Sequence, residues 1–135
     1  MEQETHRTLT NDLCELVRVH AAANALLERC GIAPAATYAT NLALEEVLSN
    51  VIRHGYADAG RRVISVSLRV GDCGVELRVV DDGRAFDPLS APAVDLDAPL
   101  EERAIGGLGL HLLREMASDV RYERADGRNY LYVRI

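Results

Sequence analysis

The chain has 135 residues, of which 48% are apolar and 27% are charged, and its formal net charge is −6. That length and mixture predict one globular domain with a hydrophobic core of its own. The acidic balance argues against nucleic acids and membrane surfaces as partners, because phosphate groups attract basic patches.

The cysteines and the N-terminus favour a cytoplasmic protein. Cys14, Cys30 and Cys73 are odd in number and widely spaced, with no CxxC pair and no histidine at metal-ligand spacing. We therefore expect free, mostly buried thiols in a reducing compartment. The polar N-terminus is unlike a signal peptide, and no apolar run is long enough to cross a membrane.

The first part of the chain predicts a strand followed by a helix. Residues 5–10 form a short opening strand, and Thr10 or Asn11 is the expected N-cap of the helix. Apolar residues then recur at helical spacing over 13–30. Gly31 ends this helix, since glycine is favoured just past a helix C-terminus.

The middle of the chain predicts a second helix, a hairpin and a long loop. Pro34 suits the first turn of a helix over 34–54. Residues 63–70 and 75–80 flank a glycine-containing turn and have strand-like alternation, which predicts a pair of strands. Residues 84–106 contain three of the four prolines and have no regular period, so they form a long loop, either functional or disordered.

The last part predicts a third helix over 108–117 and a second hairpin. Strands at 120–124 and 129–135 flank Asp126-Gly127, a favoured two-residue turn. This order of elements is not the βαβ alternation of a doubly wound sheet. It predicts an α+β fold, a two-layer α/β sandwich with helices on one face of a mostly antiparallel sheet.

The second helix carries a polar stripe on an otherwise apolar sequence. Glu46, Asn50 and His54 recur every four residues, so they share one face. An amide oxygen suits Mg²⁺, and a carboxylate one turn away suits a general base. The alternative is a solvated helix edge, with His54 acting as a C-terminal cap beside the negative end of the helix dipole.

Two further motifs follow the first hairpin. Asp81 ends a strand and Gly83 permits a tight turn, so the carboxylate could accept a hydrogen bond from the exocyclic amine of adenine. The same residues also suit an ordinary turn. Residues 105–110 (IGGLGL) open the third helix with glycine amides that suit an anion, although a glycine-rich hinge is the alternative. They match neither the dinucleotide fingerprint nor a Walker A loop.

In this order the three motifs resemble those of the Bergerat-type, or histidine kinase-like, ATPase fold of gyrase, MutL and histidine kinases. The sequence is most similar to the small bacterial anti-sigma factor serine kinases. The resemblance is carried by residues 50–56 (NVIRHGY), 81–88 (DDGRAFDP) and 106–113 (GGLGLHLL). It extends from the first helix to the last hairpin and implies a single ATPase domain over 1–135.

The resemblance implies a site for ATP and Mg²⁺. It implies that Asn50 is the Mg²⁺ ligand, and that Glu46 is the general base or polarises the acceptor hydroxyl. Asp81 would read adenine, Gly83 would let the base approach, and Phe86 would line the base pocket.

The other implied residues surround the phosphates. Residues 84–106 would form the ATP lid, and Arg103 is the candidate lid cation for the γ-phosphate. Backbone contacts to the phosphates would come from Gly107 and Gly109. The remaining implied contacts belong to the first and third motifs and are Arg53, His54, Leu108 and Leu110.

One departure from the wider fold concerns the adenine site. Other members often have a threonine near the last strands that helps to hold adenine, whereas the last strand here reads RNYLYVRI over 128–135 and has none. Asn129 or a water molecule would have to take its place.

Two functions of different classes remain open at the level of sequence. The resemblance implies a serine/threonine kinase that phosphorylates a STAS-domain anti-anti-sigma protein and switches between that partner and a sigma factor, with homodimers expected. The alternative is a nucleotide-gated binding module with little or no phosphoryl transfer. Glu46 favours the kinase, because a pure binder needs no carboxylate beside the metal.

Overall fold

The computed structural model describes residues 2–56, 62–72, 74–88 and 107–135. Three helices and five strands follow one another much as the sequence predicts. In chain order they are β1 (Gln3–Thr10), a 3-10 turn (Leu13–Glu15), α1 (Leu16–Arg29), α2 (Pro34–His54), β2 (Val63–Gly71), β3 (Gly74–Asp81), α3 (Gly107–Met116), β4 (Asp119–Ala125) and β5 (Arg128–Arg134). Within the described ranges, no helix has the combined length and hydropathy needed to cross a membrane.

The strands form one sheet in the order β1-β2-β3-β5-β4, and every pair is antiparallel. The predicted α+β class is thereby confirmed. The β4–β5 turn places Asp126 and Gly127 at φ values of 53° and 74°. Left-handed backbone at both positions is typical of the turn that matches the twist of paired strands. The β3–β5 pairing brings the start of the second predicted motif beside the last hairpin.

The core lies between one face of the sheet and the helices. Alternate residues of β2 and β3 are buried, as the strand period requires. They form one cluster with apolar side chains of α1, α2 and α3. The largest fully buried helix side chains in this cluster are Leu26, Leu27, Leu44, Leu48 and Leu113. This packing fixes α2 and α3 against the same sheet face, which positions the first and third motifs.

The opposite face of the sheet carries a row of alternating charge. Each strand contributes one residue to this row, and neighbours in the row are cross-strand partners. In order across the sheet, they are Glu4, Arg69, Glu76, Arg134 and Asp119. The Glu76 carboxylate lies 2.6 Å from Arg69 Nη2 and 2.9 Å from Arg134 Nη2. These two arginines hold the pKa of Glu76 below its ordinary value. Opposite charges directly across a ladder favour this register.

The predicted cap of the first helix was wrong. Asp12, not Thr10 or Asn11, caps the 3-10 turn that leads into α1, and its Oδ1 accepts a hydrogen bond from the Cys14 amide at 2.9 Å. Thr10 is still part of β1, and Asn11 Oδ1 accepts instead from the Arg62 amide. Cys14 is exposed and Cys30 is half-buried, so the expectation of mostly buried thiols was also wrong for Cys14.

Candidate nucleotide site

The polar stripe of α2 is partly buried. Glu46 and Asn50 are half-buried, whereas Arg53 and His54 at the helix end are exposed. Neighbouring residues of α2, including Val47 and Leu48, are buried in the core, which fixes the rotation of the helix. A solvated edge therefore does not describe Glu46 and Asn50, although it does describe Arg53 and His54.

The Glu46 carboxylate lies in a setting that favours its protonated form. Burial, and after it the charge of Glu45, raise the pKa of Glu46, while Arg53 lowers it. Among the described residues no group donates a hydrogen bond to this carboxylate. It lies against the first turn of α3, where a Cβ built on Gly109 would overlap the carboxyl carbon and both oxygens of Glu46. A carboxyl group with a raised pKa suits proton transfer near neutral pH.

Asp81 lies at the end of β3 and is only 5% exposed. Its Oδ1 accepts two hydrogen bonds, one from the Gly83 amide at 2.9 Å and one from Asn129 Nδ2 at 3.0 Å. Burial raises the pKa of Asp81, and the hydrogen bonds from Asn129 and Gly83 and the charge of Arg124 oppose that rise. The other carboxylate oxygen accepts no hydrogen bond from the described residues, so it is available to a donor such as an exocyclic amine.

Asn129 ties the last hairpin to this corner. It is the cross-strand partner of Asp81 and is 6% exposed. Its Nδ2 also donates to the Arg84 carbonyl at 2.8 Å, while its Oδ1 accepts from the Tyr122 hydroxyl. The Arg84 carbonyl can only accept, so its contact fixes which end of the amide is the donor. Asn129 thus contacts the carboxylate predicted to read adenine, and it does so from the last strand, in which the sequence analysis found no threonine.

The turn after β3 packs on the end of α2. The Arg84 amide donates to the Gly55 carbonyl at 2.7 Å, and Arg84 Nε donates to the His54 carbonyl at 2.6 Å. A Cβ on Gly83 would lie 2.6 Å from the Gly55 oxygen and 2.9 Å from Asp81 Oδ1. The structure therefore brings the first and second motifs together through backbone contacts.

Sequence reasoning missed three residues of this corner. Arg84 was seen only as part of a motif, and Tyr122 and Arg124 were not assigned to the site. Arg124 Nη1 donates to the Gly83 carbonyl at 2.6 Å, across 41 residues of sequence. The strand period places Tyr122 and Arg124 on the same face of β4, but only the pairing of β4, β5 and β3 brings that face to Gly83.

The remaining predicted residues fall in three settings. Phe86 is 46% exposed beside the turn, and Leu110 is buried. Gly107, Leu108 and Gly109 form the first turn of α3, as predicted. Arg103, Gly106 and residues 89–106 of the predicted ATP lid lie outside the described residues. The described contacts thus connect the Asp81 corner to the end of α2 and the first turn of α3 to Glu46.

The chain belongs to the family of histidine kinase-like ATPase domains, whose profile matches residues 9–135. A structure of the RsbU and RsbW domains of a Mycobacterium tuberculosis protein superposes with a TM-score of 0.68 over 97% of this chain, although it shares 20% identity. That match covers 31% of the mycobacterial chain and supports the fold.

Two named kinases are among the similar sequences. The serine/threonine-protein kinase BtrW of Bordetella bronchiseptica is 32% identical over 94 residues, which cover 70% of this chain and 66% of the kinase. The serine-protein kinase RsbW of Listeria monocytogenes is 26% identical over 106 residues, which cover 76% of this chain and 68% of the kinase. The chain thus matches about two thirds of the length of these relatives.

Proposed function

We propose that this chain is an ATP-dependent protein serine/threonine kinase of the anti-sigma factor type. Its substrate is a serine or threonine hydroxyl on a STAS-domain anti-anti-sigma protein. The similarity to proteins named as serine-protein kinases supports the class. The observation that carries the proposal is a half-buried carboxylate, Glu46, whose pKa is raised by burial and which lies one helical turn from the amide of Asn50.

Glu46 acts as the base in this proposal. The acceptor hydroxyl oxygen forms a bond to the γ-phosphorus of ATP as the bond to the β–γ bridging oxygen breaks, and ADP leaves. The hydroxyl proton passes to the Glu46 carboxylate. Little covalent chemistry is needed from the protein, so positioning and charge neutralisation supply most of the catalysis.

The residues present fit a magnesium nucleotide. The Asn50 amide offers a neutral oxygen of the kind that Mg²⁺ accepts beside phosphate oxygens and water. When bound, Mg²⁺ would neutralise charge on the transferring phosphoryl group. Asp81 orients adenine through its uncommitted oxygen, Gly83 lets the base approach, and Phe86 covers it. In this proposal Arg103 is the lid cation, and six further residues lie on the phosphate side of the site. They are Arg53, His54, Gly107, Leu108, Gly109 and Leu110.

The proposal includes a partner switch. The unphosphorylated STAS protein and a sigma factor would compete for a homodimeric kinase in the cytoplasm, and phosphorylation would release the STAS protein. The family resemblance in the three motifs supports this scheme.

A thermal melt with and without Mg·ATP tests the first step. A ligand that binds only the folded state must raise the melting temperature. We expect a magnesium-dependent rise in the wild type that Asn50→Ala removes, and no rise at all would contradict ATP binding.

The second step needs a STAS-domain protein from the same organism and labelled ATP. Label should move to that protein with the wild type and fail to move with Glu46→Gln. Retained ATP binding without any transfer by the wild type would favour the alternative, a nucleotide-gated binding module.

A further inference from the structure

Gly109 lies inside a helix, where glycine is a poor choice. It belongs to the first turn of α3 and does not have the positive φ found at Gly31, Gly74 and Gly127. Backbone conformation therefore does not require glycine at this position. In helices, alanine is favoured over glycine by roughly 1 kcal/mol because glycine has more backbone entropy to lose. Some contact must offset that difference.

The contact that the structure shows is with Glu46. The space that a Cβ of residue 109 would fill holds the carboxyl group of Glu46. Among the described residues the three nearest atoms all belong to this carboxyl group, which is the far end of a flexible side chain rather than backbone. A methyl group at residue 109 would therefore turn the carboxylate away without preventing α3 from packing.

Buried residues anchor this arrangement. Leu110 and Leu113 of α3 are buried, and α2 and α3 are in contact. The adjacent carboxylate has a different environment, because Glu45 is exposed and lies 3.0 Å from His20 Nε2 on α1. The two neighbouring glutamates of α2 thus face different helices, and only Glu46 meets Gly109.

We infer that Gly109 is a positioning residue for Glu46, and that its missing side chain forms the slot which holds the carboxylate on the first turn of α3. The inference deepens the proposed kinase function and rests on it for the role of Glu46 in transfer. The slot itself does not depend on nucleotide. The inference assigns Gly109 a role beyond backbone contact with phosphate. It also means that the position of the proposed base, Glu46, depends on how α3 packs on α2.

A double-mutant cycle on the nucleotide-free protein tests the slot. The melting temperature is measured for Gly109→Ala in the wild type, in Glu46→Ala and in Glu45→Ala. In the Glu46→Ala background the new alanine should raise the melting temperature, because it favours the helix and meets no carboxylate. In the wild type and in the Glu45→Ala control that gain should be absent or reversed. Equal shifts in all three backgrounds would overturn the inference.

A spectroscopic measurement follows the carboxylate directly. The side-chain carboxyl ¹³C signal of Glu46 is titrated in the wild type and in Gly109→Ala, without nucleotide. Displacement toward water should return the pKa of Glu46 toward its ordinary value, while the signal of Asp81 stays unchanged. An unchanged Glu46 titration would contradict the slot.

Kinetics then separate positioning from phosphate binding. Gly109→Ala should lower the rate of phosphoryl transfer at saturating ATP about a hundredfold, within the range for a misplaced general base, and change ATP affinity less than threefold. A loss of ATP affinity that persists in the Glu46→Ala background would assign Gly109 to the phosphates instead. If ATP fails to bind even the wild type, the proposed function fails, while the melting and titration results still decide the slot.

Discussion

Asn129 donates a hydrogen bond to Asp81 across the β3–β5 pair, with 3.0 Å between Asn129 Nδ2 and Asp81 Oδ1. The two residues are 48 positions apart in sequence and both are buried. This bond fixes one carboxylate oxygen and leaves the other for a ligand. The corner that we propose to hold adenine is therefore built from the second motif and the last hairpin together.

Asn129→Ala should destabilise the protein and weaken ATP binding. The change removes one of the two donors to Asp81 Oδ1, which keeps the Gly83 amide, and it also removes the Asn129 donor to the Arg84 carbonyl. Loss of a partner for a buried polar group costs about 1–3 kcal/mol. Urea unfolding measures the loss, and titration with a fluorescent ATP analogue measures the affinity. Arg128→Ala, at the exposed neighbouring position, is the control and should change little. Equal stability of the two variants would contradict a structural role for the Asn129 amide.

Asp81→Asn should weaken ATP binding and yet stabilise the nucleotide-free protein at neutral pH. Burial raises the pKa of Asp81, so the folded state binds the proton more tightly than the unfolded state does. The wild type therefore loses stability as the pH rises from the ordinary carboxyl pKa through the raised folded value. The neutral amide avoids this loss and can still accept the Gly83 and Asn129 hydrogen bonds.

Melting curves of the Asp81→Asn variant and the wild type between pH 3 and 8 test the direction of this pH dependence of stability. Their difference should grow with pH and vanish in acid. ATP affinity should fall about ten- to a hundredfold, since a hydrogen bond to a charged group contributes about 1.5–3 kcal/mol. A difference in melting temperature that is constant with pH would show that ionisation of Asp81 is not its cause.

Glu45→Gln should shift the pH profile of phosphoryl transfer without abolishing it. The charge of Glu45 helps to raise the pKa of Glu46, so its removal lowers that pKa. A base works when it is ionised, and the acidic limb of the rate profile should therefore move to lower pH. Glu46→Gln, in contrast, should lower the rate about 10²- to 10⁴-fold at pH values above the acidic limb, where Glu46 of the wild type is ionised. Rates of phosphoryl transfer measured against pH at saturating ATP and partner test both variants. An acidic limb that does not move in Glu45→Gln would exclude coupling between the two carboxylates.

Gly83→Ala should destabilise the protein through a backbone clash. The new methyl group would lie 2.6 Å from the Gly55 carbonyl oxygen, a backbone atom, and 2.9 Å from Oδ1 of the buried Asp81. Neither atom belongs to a flexible surface side chain. Overpacking of this kind costs about 1–3 kcal/mol. Gly71→Ala is the matched control, because its nearest neighbour is the flexible side chain of Glu2 at 3.2 Å. Chemical denaturation measures the free energy of unfolding of the two variants. A loss of stability no larger for Gly83→Ala than for Gly71→Ala would refute the clash.

Local signals predicted most of the elements. Gly31 was expected to end the first helix, and its φ of 64° together with the 3.0 Å hydrogen bond from the Ile32 amide to the Leu27 carbonyl shows how it does so. The Asp126-Gly127 turn was likewise readable from two residues. The cap of α1 was misplaced because Thr10, Asn11 and Asp12 are all good caps, and only the length of β1 decides among them.

Long-range contacts of the site were beyond the sequence. The order of the three motifs predicted that Glu46, Asn50 and Asp81 belong to one site, since each of these side chains suits a different role there. Nothing local indicated that Arg124 donates to the Gly83 carbonyl, or that Arg84 holds the end of α2. Such contacts depend on strand order and helix packing, which a short motif does not encode.

The strand order also has a consequence for solubility. β1 and β4 are the edge strands of an open sheet, and none of the described residues pairs with their outer sides. Unpaired edges invite strand addition from other molecules. The exposed residues of β4 include Asp119, Arg121, Glu123 and Arg124, so an approaching strand would have to accommodate a charge at most positions. The edge next to the adenine corner is thereby protected against amyloid-like association without a covering helix.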